Sequence, residues 1–285
     1  MRRFRWLGAV LVVVAITAAA CGGDDDSPTV SGGQTDTTAA RPSFAAGSTM
    51  ATLQSKGKIV IGVKFDQPGL GQKNPVTNKV EGFDVEVAKL IAAAIFGGEP
   101  DEQDDKIEFI ESVSKNREPF IQEGRVDIVI ATYTINDARK QVIDFAGPYF
   151  VAKQDIMVMA DNDEIKDVSD LNGKKVCTAK GSTSEKNVRA KAPQAEVVLF
   201  DVYSQCAEEM TNGRVDAVTT DNTILAGRVS ASNGEYKLVE APFSDEPYGI
   251  GLAKGDQDFR DFLNDTLEEI YENGDWATAF EATLG

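Results

Sequence analysis

Two phrases recur along this chain, and they limit its fold more than any other feature. "GKIVIGVK" (Gly57 to Lys64) returns as "GKKVCTAK" (Gly173 to Lys180), and "GRVDIVIATYT" (Gly124 to Thr134) returns as "GRVDAVTTDNT" (Gly213 to Thr223). Each is a glycine turn followed by β-branched residues, the pattern of a buried parallel strand. Between the first pair, "GFDVEVAKLIAAAIFG" places Val85, Ala88, Ile91, Ala92 and Ile95 at helical spacing. Between the second pair, "STSEKNVRAKA" opens with hydroxyls and a glutamate, as a helix start does. Strand and helix alternating in two successive blocks predict an α/β chain with mostly parallel sheets in two similar lobes.

The repeat also locates a site. Thr132 lies eight residues after Gly124 and Asp221 eight after Gly213, while Lys64 and Lys180 close the other pair of phrases. Ligands of open α/β sheets sit beyond the carboxyl ends of the strands. Lobes that face each other would bring hydroxyls and cations from the first against a carboxylate from the second. Such a cleft is complementary to a zwitterion.

Composition removes several rival chemistries. The chain holds no histidine, so it lacks the commonest general base and metal ligand and every Ser-His or Cys-His nucleophile. A formal charge of −17 argues against a nucleic-acid partner, which needs clustered Lys and Arg. No cofactor or metal site is legible.

The N-terminus reads as a processing signal over residues 1–20. "MRRFR" is a basic region, and "WLGAVLVVVAITAAA" is an apolar run too short for a comfortable membrane span. Ala18, Ala19 and Ala20 lead into Cys21, which resembles the lipobox of a bacterial lipoprotein; the rival is an ordinary secretory signal with a coincidental cysteine. Residues 21–52 are nearly devoid of large apolar side chains and read as a disordered tether. A flexible stretch of about thirty residues spans roughly 30 Å, so the folded part is expected just outside the membrane. Export permits a disulfide between Cys177 in "KKVCTAK" and Cys206 in "SQCAEEM", with two free thiols as the alternative.

Several segments carry a family likeness. "GFDVEVAKLIAAAI", "ATYTINDARKQVIDFAGPYF", "AKGSTSE", "VDAVTTDN" and the closing "YENGDWATAFEATLG" occur in an order that resembles the polar amino-acid family of extracellular solute-binding proteins, which feed ABC importers. The likeness runs from Thr52 to Gly285. "GVKFDQPG", "YGIGL" and the cysteine pair are similar to the family's actinobacterial branch of glutamate-binding lipoproteins. The resemblance implies a monomeric type II periplasmic-binding-protein fold, α/β, with two Rossmann-like lobes. Lobe 1 would be residues 53–152 plus 247–285, and lobe 2 residues 153–246. Two hinge strands near "YFVAK" and "PYGIG" would join them and let them close like a clamp.

Each candidate residue has a plainer reading beside the functional one. Thr134 to Asp137 could be a capping box with Arg139 solvated, but that leaves Thr132 and the lone arginine unexplained. A guanidinium grips a carboxylate through two parallel hydrogen bonds, and in the family this segment holds the ligand α-carboxylate. Thr183 starts a helix, where free amides attract anions in any case; the resemblance gives it the same carboxylate. Asp221 could simply cap a helix, whereas the family's matching aspartate accepts the ligand ammonium. Lys64 and Arg117 stand where relatives for basic amino acids carry an acid and often an aromatic ring, and two cations there suit a distal carboxylate. Ser114 is their companion. Most lysines and arginines point to water, which is the plainer reading of both.

The leading expectation is a lipid-anchored receptor for glutamate or aspartate serving an ABC permease, anchored on the outer face of the cell membrane. A sensor presenting the amino acid to a membrane signalling partner would have the same pocket. A cyclohexadienyl-type dehydratase would need an acid against a leaving hydroxyl, and the candidates here are mostly cations and hydroxyls.

Overall fold

The computed structural model describes residues 42–285. The signal expected over residues 1–20, Cys21 and most of the tether lie outside them. The expected end of the tether at residue 52 is corrected, because Thr49–Lys56 forms a helix, α1. The Ser48 hydroxyl caps it by accepting the Ala51 amide at 3.2 Å, and Gly57 ends it in the left-handed region. Met50 and Leu53 are buried, and Phe44 meets Phe262 edge to face with ring centres 5.3 Å apart. These few apolar side chains dock a segment whose average composition is polar.

Lobe 1 begins with β1 (Ile59–Val63) and a small antiparallel sheet of β2 (Asp66–Gln67), β3 (Gly71–Lys73) and β4 (Val80–Glu81). It continues through α2 (Phe83–Phe96), β5 (Ile107–Glu111), α3 (Arg117–Gln122), β6 (Ile128–Val129) and α4 (Asp137–Lys140). β1 pairs in parallel with β5 on one side and β6 on the other. Helix α2 is apolar on nearly every face and sits in the core, while Asp84 and Glu86 in its first turn suit the positive end of the helix dipole.

The 16-residue β7 (Asp144–Met159) carries the chain into lobe 2. There follow β8 (Lys175–Ala179), α5 (Thr183–Lys191), β9 (Glu196–Phe200), α6 (Tyr203–Thr211), β10 (Ala217–Asp221), α7 (Asn222–Ala231) and β11 (Tyr236–Leu238). The chain returns along β12 (Ser244–Leu252) and ends in α8 (Gln257–Glu272) and α9 (Asp275–Thr283), where Trp276 and Phe280 pack edge-on against Phe83.

The main sheet runs β5-β1-β6-β12-β7-β10-β8-β9, with β11 on β7. β8 is parallel to both β9 and β10, so each lobe holds a parallel set. β7 and β12 join the sets as one antiparallel ladder from Gln154↔Ser244 to Asp144↔Leu252, with an irregular step between Tyr248 and Ile250. The crossovers expected near residues 152 and 247 fall inside this ladder, where Ala152 pairs with Glu246. Cys177 of β8 and Cys206 of α6 are bonded, with Cα atoms 5.4 Å apart, so the free-thiol alternative is set aside.

Candidate functional site

Strand ends supply the site, as the parallel topology requires. The chain leaving β5 carries Ser114 and Arg117, and the chain leaving β6 carries Thr132, Thr134 and Arg139. From lobe 2, the turn after β8 brings Ser182, Thr183 and Ser184, the chain after β9 brings Tyr203, and β10 ends in Thr220 and Asp221. With Ile224 they line one narrow space between the strand ends. Seven of the eight expected ligand residues meet here.

The arginines are its dominant feature. Asn136 caps α4 by accepting the Arg139 amide at 3.0 Å, so the helix is capped, but by Asn136 and not through the Thr134–Asp137 box of the plain reading. The solvated arginine does not, since Arg139 is only 4% exposed. Its Nη1 donates to the Thr134 carbonyl at 2.5 Å and its Nε to Glu118 at 3.1 Å, which fixes the guanidinium plane. Arg117 is buried too, with its Nε donating to the Ser112 carbonyl at 3.2 Å, and it forms no salt bridge among the described residues. The two guanidinium carbons lie 4.6 Å (Arg139) and 5.1 Å (Arg117) from the Tyr133 ring centre. Burial and then the neighbouring Arg139 pull Arg117 below the usual guanidinium range. Such a pair is stabilised by an anion placed against it.

The threonines are held from behind. Thr132 is β-branched yet has φ of 47°, a strained conformation for such a residue. The buried Asp84 stabilises it by accepting its amide at 2.9 Å, and Tyr149 donates to the other carboxylate oxygen at 2.6 Å. Burial outweighs these bonds and pushes Asp84 up to about 6. The Thr132 hydroxyl donates to the Ala131 carbonyl at 2.7 Å, and the Thr134 hydroxyl to Glu246 at 2.8 Å. Both hydroxyl protons are thus committed within the protein, which leaves the guanidiniums as the principal donors of lobe 1. From lobe 2, Thr183 is the first residue of α5, and its hydroxyl lies 3.4 Å from that of Thr134. Ser182 caps the helix by accepting the Glu185 amide at 3.0 Å.

Asp221 occupies the N-cap position of α7, but its side chain makes no capping bond. One carboxylate oxygen accepts from the Tyr248 hydroxyl at 2.7 Å, and the other, Oδ1, is buried with no hydrogen-bond partner among the described residues. Burial and then the nearby Glu246 push Asp221 up to about 7, against the pull of Tyr248 and both arginines. Glu246 is itself buried and held by Thr134, by Asn187 at 2.9 Å and by Ser244 at 2.7 Å.

Lys64 is a correction. It closes β1 as expected, but it does not line the space. Its ammonium lies 3.0 Å from Asp66 and 3.7 Å from Glu111, with the side chain 3% exposed. A buried cation takes the nearest carboxylate, and lobe 1 supplies two, one of them on the adjoining strand. Lys180, its counterpart in the repeat, is exposed. The sequence reading missed Ser182, Ser184, Tyr203 and Thr220. The first two flank Thr183 and Thr220 precedes Asp221, so adjacency was a usable signal for three of them. Tyr203 follows β9, outside both repeated phrases, and nothing in the sequence marks it.

Two buried guanidiniums on one lobe and an unpartnered carboxylate oxygen on the other define a clamp for a small solute carrying both signs of charge. The chain belongs to family 3 of the bacterial extracellular solute-binding proteins, which it matches over residues 59–285. It is 39% identical to glutamate-binding protein GluB of Corynebacterium glutamicum, over 87% of this chain and 85% of that one. It is 41% identical to the ABC transporter glutamine-binding protein GlnH of Bacillus subtilis, over 79% and 81%. Among solved structures it resembles an ancestral arginine-binding protein bound to glutamine, at 38% identity and TM-score 0.73, covering 80% of this chain and 98% of that one. The fold is the type II periplasmic-binding-protein fold.

Proposed function

We propose that this chain is a receptor that captures an acidic amino acid, L-glutamate or L-aspartate, between its lobes and delivers it to an ABC permease. In this reading Cys21 carries a lipid that holds the protein on the outer face of the cell membrane. Arg139 binds the α-carboxylate together with the first turn of α5 at Thr183, Asp221 binds the ammonium, and Arg117 with Ser114 receives the distal carboxylate. The observation that carries this is the presence in one site of Arg117, buried and without a salt bridge among the described residues, and of Asp221 Oδ1, which has no hydrogen-bond partner among them. A neutral side-chain amide would leave Arg117 a buried charge without a counter-ion, which is costly. The chain binds rather than turns over its ligand, in keeping with the names of the relatives above.

A glutamine reading has support in the relative named as glutamine-binding and in the ancestral structure bound to glutamine. A calorimetric panel of Glu, Asp, Gln, Asn and Arg separates the two. Glutamate is expected to bind at least about 30-fold tighter than glutamine, the effect of one desolvated charge pair of about 2 kcal/mol. Equal or tighter glutamine binding establishes the amide reading, and tight arginine binding rejects both.

The raised Asp221 adds a pH signature. Ammonium binding needs the ionised form, so it expels a proton wherever Asp221 is protonated. Affinity therefore rises with pH towards about 7 and levels off above it. About one unit below that midpoint the loss approaches tenfold. The same upward shift makes the ligand-free fold lose stability as pH rises from the ordinary carboxylate range through about 7. Calorimetry in buffers of different ionisation heat reads the released proton. A dissociation constant unchanged between about pH 5.5 and 8 removes Asp221 as the ammonium partner.

A further inference from the structure

Asp66 belongs to lobe 1, yet its carboxylate is bonded mainly to lobe 2. Its Oδ2 accepts from Arg228 Nη2 on α7 at 3.0 Å and from the Ser204 amide at 3.2 Å, and the same guanidinium also donates to the Asp66 carbonyl. Helix α6 has Val202 at its N-cap and no side-chain cap of its own, so Asp66 supplies that cap from the opposite lobe. Lys64 holds the other oxygen at 3.0 Å from within lobe 1. All three charged side chains are nearly buried, with exposures of 3% for Lys64, 12% for Asp66 and 10% for Arg228. Beside them α7 comes so close to lobe 1 that a Cβ on Gly227 would lie 2.3 Å from the Pro68 carbonyl oxygen. A second, more exposed ion pair joins the lobes at Lys115 and Asp201, 2.6 Å apart.

We infer that Asp66 and Gly227 are the residues that set how far and how firmly the lobes close: Asp66 latches α6 and α7 of lobe 2 onto lobe 1, and the missing side chain at Gly227 is the clearance that lets it do so. None of them lines the ligand space. The latch exists only when the lobes meet, so it adds to the affinity of every ligand that needs closure and discriminates among none. It also explains the place of Lys64, which keeps Asp66 ionised and aimed whether the lobes are together or apart. This inference rests on reading the cleft as a clamp and does not depend on which amino acid fills it.

Gly227→Ala is the sharper test. The position is inside a helix, where alanine is favoured over glycine, so the ligand-free protein is expected to unfold at the same denaturant concentration or a higher one. The added methyl meets a backbone oxygen, so closure is obstructed. With L-glutamate and L-glutamine as probes, both dissociation constants are expected to weaken at least about tenfold, and small-angle scattering at saturating probe should show a larger radius of gyration than the parent. Asp66→Asn is expected to weaken both probes by a common factor, leaving their ratio unchanged, and to raise hydrogen exchange at the Ser204 amide. A Gly227→Ala protein that binds and contracts like the parent overturns the inference, as does an Asp66→Asn protein that changes the glutamate-to-glutamine ratio. If the parent binds neither probe, the ligand assignment fails, and unchanged exchange at Ser204 in Asp66→Asn remains able to overturn the latch by itself.

Discussion

Arg139→Ala is expected to weaken glutamate binding by about 30-fold at the least and to push it beyond detection in ordinary calorimetry. Truncating one partner of a buried, hydrogen-bonded charge pair costs about 2–5 kcal/mol, a factor of roughly 30 to several thousand. The guanidinium is fixed before any ligand arrives, by the Thr134 carbonyl and Glu118, so little rotamer entropy is lost on binding. The variant also frees the Thr134 carbonyl and Glu118, so its thermal unfolding must be measured alongside. Arg139→Lys separates the two effects, since it keeps a charge and loses the planar fork. The expected order is parent, then Lys, then Ala. Wild-type affinity in a folded Arg139→Ala protein removes the residue from the ligand.

Arg117→Gln should act on selectivity. Arg117 makes a single protein hydrogen bond, to the Ser112 carbonyl, and no salt bridge among the described residues. Its charge is therefore available to the distal carboxylate. Glutamate is expected to weaken by about 30- to 1000-fold while glutamine changes by less than about threefold, inverting or erasing the preference. The variant also removes a buried cation that shares the Tyr133 ring with Arg139, so the ligand-free protein is expected to gain stability rather than lose it. Parallel losses for both ligands in calorimetry mean that Arg117 supports the lobe and does not read the side chain. Lys64, the other cation that the sequence offers for this role, is neutralised by Asp66 and Glu111.

What could be read from the residues alone follows a physical divide. The repeated phrases show the parallel strands, and the rule that ligands gather at their carboxyl ends points to Thr132 and Asp221, while Thr183 is added by the family likeness. Those inferences use order along the chain, which the fold preserves. Lys64 defeats the same reasoning because the direction of its side chain is set by the fold, which turns Asp66, two residues on, back to within 3.0 Å of it and brings Glu111 to 3.7 Å on the strand paired with β1. Tyr203 is missed because a single aromatic residue after a strand has the signature of a core residue. The fault at α1 is one of averaging, since Phe44, Met50 and Leu53 are diluted by their polar surroundings. The commitment of the Thr132 and Thr134 hydroxyls to internal acceptors is likewise a matter of three dimensions, set by φ at Thr132 and by the approach of Glu246.

The two strands that pass between the lobes are bonded to one another along their shared length. Sliding one past the other would break many rungs together, so the cheap motion is for both to flex as a single ribbon. The two halves of the molecule are thereby confined to swinging about a narrow axis, and the skipped rung between Tyr248 and Ile250 marks where the ribbon yields most easily.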